Sequence, residues 1–259
     1  MVALKCILGL VVLLAVSVWA EEEALSTSER IQRANRDIVR TPGQPLIEDD
    51  IAYDSEAERN ADSCTLYRGN NCMWPKSADG KVYVPYTISS VYSSREVSII
   101  ERGLQSFHDF SCLRFVRRTS QSDYLRIQSL DGCWSYIGRR GNTQDLSLRR
   151  SGCVYHDTVQ HEVLHALGFH HEQKRSDRDE YIRIVLENVT PGMEHNFDKV
   201  RTLNQGTTYD YGSVMHYHQY AFSKNNKPTL VGIPDPNVEF GTAPEMSEKD
   251  IIRLNRLYC

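Results

Sequence analysis

Apolar positions recur at two periods along this chain. Val97, Ile100, Leu104 and Phe107 are spaced by three and four, the interval that lines one face of an α-helix. Ser93-Ser-Arg-Glu96 stands in front of them as a capping box, so a helix is predicted to run to about Phe110. Ile251, Leu254 and Leu257 repeat near the C-terminus behind Ser247-Glu-Lys-Asp250, which can cap a last helix in the same way. Lys81–Ile88, Leu113–Arg118 and Tyr124–Leu130 read as strands, and Cys133–Ile137 as a short one before the turn Gly138-Arg-Arg-Gly141. Pro85 cannot donate to a ladder, which predicts an edge or a bulge for the first strand. The stretch from Asn188 to Gly212, with Pro191, Gly192 and Gly206, is predicted to be irregular. No internal repeat is seen.

Ahead of Asn60 this patterning fades. Residues 1–20 combine Lys5, the apolar run Ile7–Val16, and Val18 and Ala20 at the positions a cleavage site needs. They read as a secretory signal, too short and wrongly flanked for a membrane span. No later stretch is long enough to cross a membrane, so a soluble, secreted chain without an anchor is expected. Residues 21–59 are polar, and Thr41-Pro-Gly-Gln-Pro45 breaks any helix begun around Ser28 to Val39. They carry 11 acidic and 5 basic residues, whereas residues 60–259 carry 23 and 24. An acidic leader on a near-neutral body suggests a detachable segment, and Arg59 offers a trypsin-like enzyme its cutting point. The body lacks the basic excess of a nucleic-acid binder. The expected organisation is therefore a signal at 1–20, a leader at 21–59 and one folded domain at 60–259.

Cys6 would leave with the signal. Cys64, Cys72, Cys112, Cys133, Cys153 and Cys259 remain. An even number in a secreted chain implies disulfides, with fifteen pairings open and no C-x-x-C to suggest a metal cluster. Asn188-Val-Thr190 is a formal glycosylation sequon, followed directly by Pro191.

The chemistry concentrates in His161-Glu-Val-Leu-His165-Ala-Leu-Gly168-Phe-His-His171. Residues four apart on a helix share one face, about 6 Å apart along the axis, so His161 and His165 can grip one zinc ion. Gly168 can end the helix and turn the chain back, bringing His171 in as a third ligand. Three protein ligands leave a place for water, as in catalytic rather than structural zinc sites. Glu162 is placed to act on that water as general base. The plain alternative is a helix with surface histidines and a glycine cap. His170 adjoins His171, but its spacing from Gly168 excludes it as the ligand. His108, His156, His170, His195, His216 and His218 are expected at the surface or in support of the site.

His161–Asp179, HEVLHALGFHHEQKRSDRD, and Ser213-Val-Met-His-Tyr217 closely resemble the astacin family of metzincin peptidases. Gly132–Gly138, Gln144–Leu148 and Tyr209–Gly212 resemble it too, and the likeness covers essentially all of Asn60–Cys259. It implies an α/β (α+β) fold of the metzincin, zincin-like kind in two subdomains. One is a twisted N-terminal sheet with the active-site helix; the other is irregular and ends in a helix. It implies a secreted endopeptidase with one Zn²⁺ per chain on His161, His165 and His171, Glu162 as base, and Met215 packing beneath the site. Tyr217 would be a labile fifth ligand that swings away to hydrogen-bond the tetrahedral intermediate. The edge Cys133–Ile137 would receive an extended substrate. Glu172 would meet the new amino terminus, Asn60, after cleavage. The family disulfides correspond to Cys112–Cys259 and Cys133–Cys153, leaving Cys64–Cys72 as an extra pair. In the family a leader motif, Phe-x-Gly-Asp, puts its aspartate on the zinc. Here the register reads Ile47-Glu-Asp-Asp50, so Asp50 would be the blocking ligand. Asp49 stands where glycine is usual, which keeps Asp49 open as the alternative. The extra cysteine pair resembles fish hatching enzymes, whose substrates are egg-envelope glycoproteins. That implies a monomeric protease, stored in granules or released directly. A digestive or leukocyte role is the alternative biology. A non-catalytic binding protein on the same scaffold would lack a ligand or the base, and none is missing.

Overall fold

The computed structural model describes residues 25–36, 38, 46–53 and 72–259. The expectations for the signal and for Arg59, Asn60 and Cys64 fall on residues outside these; of the expected Cys64–Cys72 bridge only Cys72 is described, and it is buried. The elements are α1 (Thr27–Asn35), β1 (Leu46–Ile47), β2 (Ile51–Ala52), β3 (Val82–Ile88), α2 (Ser94–Phe110), β4 (Leu113–Arg117), β5 (Tyr124–Gln128), β6 (Cys133–Tyr136), β7 (Thr143–Leu148), α3 (His156–Ala166), β8 (Ile182–Ile184), β9 (Leu230–Gly232) and α4 (Glu248–Tyr258). Short 3₁₀ turns lie between α3 and β9. The main sheet runs β1-β2-β6-β7-β5-β3-β4, and β8 pairs with β9 apart from it.

The strand holding Pro85 is not at an edge. β3 lies between β4 and β5, parallel to both. The proline is tolerated because the two ladders are offset: β4 pairs with residues 82–86 and β5 only from Tyr86 onward. Val82 N donates to Cys112 O and Tyr86 O accepts from Arg118 N, so even-numbered residues bond toward β4. Pro85 therefore presents its missing N–H on the other side, just before the β5 ladder begins.

Both anticipated capping boxes form, at Ser93/Glu96 on α2 and Ser247/Asp250 on α4. A third, Ser26/Glu29, opens α1. α2 crosses α3 closely at Gly103, where an added Cβ would fall 2.5 Å from Val159 Cγ1. That approach explains a glycine inside a helix, a position that costs about 0.5–1 kcal/mol relative to alanine. α3 is buried from Asp157 through Ala166, although His161, Glu162 and His165 are polar. Its polar side chains face a covered cleft rather than solvent.

Two cores flank that cleft. The first joins the sheet, α2, α3 and α4 through residues such as Leu104, Phe107, Ile127, Leu146, Val163 and Leu254. The second gathers Ile182, Phe197, Tyr209, Tyr217, Leu230 and Phe240 from the irregular part. Residues 213–217 pass from one to the other: Val214 and Met215 belong to the first core, Tyr217 to the second. The disulfides Cys112–Cys259 and Cys133–Cys153 are both present. The first anchors the end of α4, whose Tyr258 hydroxyl donates to Leu167 O at 2.9 Å. No described helix is long and apolar enough to cross a membrane.

Part of residues 21–59, the expected leader, is built into the fold, with a helix, Thr27–Asn35, ahead of the Thr41–Pro45 break. Ile31 and Ala34 of α1 join the first core. β2 pairs in parallel with β6, Ile51 opposite Ser135 and Ala52 opposite Tyr136. The edge expected to receive substrate is thus occupied by the chain's own residues 51–52.

Candidate metal centre and active site

α3 ends as the glycine predicts. Gly168 takes φ 101°. Gly168 N donates to His165 O at 2.8 Å and Phe169 N to Leu164 O at 3.0 Å, the paired bonds of a Schellman motif. The reversal brings His171 against the two helical histidines. His161 Nε2 lies 3.2 Å from His165 Nε2 and 3.3 Å from His171 Nε2.

The far side of each ring decides what these contacts are. His161 Nδ1 meets Val214 O at 2.8 Å, His165 Nδ1 meets Phe169 O at 2.7 Å, and His171 Nδ1 meets a Glu48 carboxylate oxygen at 3.0 Å. These partners only accept, so each Nδ1 carries a ring proton, and wherever the ring is neutral its Nε2 turns a lone pair inward. With all three rings neutral, three lone pairs and the Asp50 carboxylate converge with nothing to donate between them. Asp50 Oδ2 is 3.1 Å from His161 Nε2 and 3.3 Å from His171 Nε2, and Oδ1 is 3.4 Å from His165 Nε2. Such a set calls for positive charge at its centre, from a ring proton held against Asp50 or from a metal ion. Tetrahedral zinc, with Zn–N of about 2.0–2.1 Å, places its nitrogens about 3.3 Å apart, so the donors and their spacing fit zinc.

Glu162 is fully buried and neither carboxylate oxygen has a hydrogen-bond partner. Burial, reinforced by the charges of Asp50 and Asp49, pushes its carboxyl well above the usual range. A base free of local partners is available to a reacting molecule.

Beneath the histidines, α4 supports the ring of His161 at second hand. Asp250 accepts from Ser213 Oγ at 2.7 Å and from Val214 N at 3.0 Å, while Val214 O holds His161 Nδ1. Met215 is 2 % exposed and belongs to the first core. An Asp250→Ala chain leaves two buried donors unsatisfied, each worth about 1–3 kcal/mol. Its unfolding free energy in urea is expected to fall by about 2–5 kcal/mol. An unchanged urea midpoint would show that the turn holds itself.

Residues 69–259 match the family described as Astacin, a family of peptidases. The chain belongs to the astacin family. It is accordingly a zinc metalloendopeptidase, and its relationship to hatching enzymes is close. It is 44 % identical to high choriolytic enzyme 2 of Oryzias latipes over 239 residues, 92 % of this chain and 82 % of that one. Low choriolytic enzyme of the same fish is 42 % identical over 238 residues, 92 % of this chain and 85 % of that one. Among solved structures, high choriolytic enzyme 1, a hatching enzyme zinc-protease from medaka, superposes with a TM-score of 0.71 at 48 % identity. That match covers 73 % of this chain and 95 % of the other.

Other residues named from astacin-family resemblance sit as follows. The Tyr217 hydroxyl donates to Glu48 O at 2.5 Å, and its ring centroid is 4.5 Å from that of His171. Glu172 is buried against Arg253, with oxygens 2.6 and 2.9 Å from the guanidinium, and accepts from Asp210 N at 2.7 Å. Burial pushes its carboxyl up to about 7 despite Arg253 and Arg175. Its expected partner, Asn60, lies outside the described residues. Of the two leader aspartates, Asp50 is the one at the histidine nitrogens. Asp49 takes φ 72° and Glu48 φ 53°, left-handed conformations costing roughly 1–2 kcal/mol for a non-glycine residue.

Glu48 is the site residue that sequence reasoning passed over. Its carboxylate touches His170 Nδ1 at 3.2 Å, His171 Nδ1 at 3.0 Å and Lys174 Nζ at 3.5 Å. Burial opposes its charge, but Lys174 and His170, with hydrogen bonds from both histidines, outweigh that and hold the carboxyl well below the usual range. It belongs to the carboxylate cluster Glu48-Asp-Asp50, but only a leader folded back onto the site reveals which acid meets which histidine. Of the remaining histidines, His216 is buried between Tyr209 Oη and Tyr217 O, and His108 accepts from Phe115 N.

Proposed function

We propose that this chain is the latent precursor of a secreted protease that digests egg-envelope proteins, and that removal of residues 21–59 activates it. One observation carries the latency: the Asp50 carboxylate occupies the centre of the three histidines while residues 51–52 fill the edge of β6. Asn35 adds to the seat, its side-chain amide bonding Asp49 O, Cys133 O and Cys133 N at 2.7–3.0 Å. The egg-envelope substrate is supported by the likeness to the medaka choriolytic enzymes, and secretion by the signal-like residues 1–20.

Once the leader is gone, Ser135 N, now bonded to Asp50 O at 2.9 Å, is free to bond an extended substrate along the edge of β6. His161, His165 and His171 would hold zinc, which supplies Lewis acidity toward the scissile carbonyl and acidifies an attacking water. Glu162 takes the proton from that water and delivers it to the leaving amine. Tyr217, released from Glu48 O, donates its hydroxyl to the oxyanion that develops on the carbonyl. A Tyr217→Phe enzyme is expected to lose about 10²-fold in kcat with its zinc content unchanged. Steady-state kinetics beside metal analysis measure both, and a wild-type kcat would leave the hydroxyl with no role in turnover.

The activation and the substrate are tested together. The full chain and a chain cut after Arg59 are incubated with intact egg envelope and with unrelated matrix proteins, and the cut ends are sequenced. The expected result is envelope digestion by the cut chain alone. Equal digestion by both chains removes latency, and a matrix substrate preferred over the envelope removes the hatching role.

A further inference from the structure

Arg30 of α1 has no part in the chemistry above, yet it is among the most firmly held residues of the leader. Its Nη1 donates to both Asp157 oxygens, at 2.7 and 2.6 Å, and Thr27 Oγ1 donates to the same carboxylate at 2.6 Å. The Arg30 guanidinium lies 4.3 Å from the Tyr155 ring centroid. The paired side chains are only 9 % and 7 % exposed.

This slot adjoins the metal centre along α3. Asp157 precedes His161 by one helical turn, about 6 Å along the axis of α3. Ser28 and Ile31, on either side of Arg30, line a small cavity with Asp50, His161 and Tyr217. Ser28 Oγ also accepts from His218 N at 3.1 Å.

The partners of Asp157 divide sharply. Thr27 and Arg30 come from the leader; from the rest of the chain it has the amide and hydroxyl of its neighbour Thr158, at 2.8 and 3.5 Å. Departure of the leader would leave a carboxylate and an aromatic face beside the metal ligands, with the cation between them gone. A sheltered carboxylate without its counter-charge is strongly unfavourable. A planar guanidinium answers both walls at once, bonding the carboxylate and stacking on the ring, which a lysine ammonium does less well.

We propose that Asp157 and Tyr155 form a guanidinium-binding subsite of the cleft, filled by Arg30 in the full chain and by an arginine side chain of the protein substrate once the leader is gone. The proposal rests on the reading of residues 21–59 as a removable leader. It makes Arg30 an internal mimic of a substrate arginine.

The test uses the processed, zinc-loaded enzyme and peptides of one sequence in which a single arginine is moved stepwise along both sides of the cut bond. Each peptide is paired with its citrulline counterpart, equal in shape and without charge. At one position the arginine peptide should be cut with a kcat/KM about tenfold above its citrulline partner, a difference of about 1.4 kcal/mol. In Asp157→Asn that ratio should fall toward one. A purely structural role for Asp157 would move both peptides of a pair alike. Tyr155→Leu supplies a second variant should Asp157→Asn not fold, and it should reduce the same ratio. Efficient cutting with no arginine preference at any position, or a preference that survives both substitutions, overturns the subsite alone. A processed chain that cuts none of the peptides overturns the peptidase reading and the subsite with it.

Discussion

A Glu162→Gln enzyme is expected to keep its zinc and lose its peptidase activity. Glutamine matches the shape of the buried glutamate but can neither take a proton from water nor hand one to an amine. General acid–base catalysis contributes about 10²–10⁴-fold. Glu172, the next glutamate along the chain, cannot stand in, being committed to Arg253 and the Asp210 amide. The zinc ligands should be untouched, because Glu162 bonds none of the three imidazoles and its oxygens have no partner to lose. Peptide cleavage by the processed variant, beside its zinc content by atomic absorption, checks both halves. Full activity would remove Glu162 as the base.

The second large effect concerns the proposed precursor. A full-length Asp50→Ala chain is expected to cut a peptide substrate with its leader still attached, whereas Asp49→Ala stays silent. Asp50 is the residue with carboxylate oxygens against all three histidine nitrogens. Losing one member of a buried charged set costs about 3–5 kcal/mol, enough to raise the open population by about 10²-fold or more. The leader would not fall away entirely, because Glu48, Asn35 and Arg30 keep their own contacts. Progress curves of the two purified precursors, with serine-protease inhibitors present to prevent processing, give the order directly. The reverse order would move the switch to Asp49.

The parts that the sequence made legible are those whose meaning is local. A histidine four residues from another must share its helix face, and Gly168 alone in its turn can take the φ that swings His171 round. The boxes at Ser93 and Ser247 need only four residues each. Pro85 misled because its cost depends on where a neighbouring strand begins, which is set by two ladders and not by the strand itself. The leader was harder still. α1 carries only Ile31 and Ala34 as buried apolar residues, too few for a periodicity to show. What holds it down is polar and distant: Arg30 to Asp157, Asn35 to Cys133, Glu48 to His171. The disulfide partners likewise came from resemblance, since spacing leaves fifteen pairings equal.

The hold that Asp250 keeps on the 213–217 turn has a consequence for the order of synthesis. The residue that steadies the backbone behind His161 lies in the final helix, and Cys259 itself closes the far end of α4. The cutting apparatus is therefore finished only when translation has passed that helix. A nascent polypeptide still threading out of the ribosome has its ligand residues but no floor to set them on, so the ribosome handles a protein without teeth.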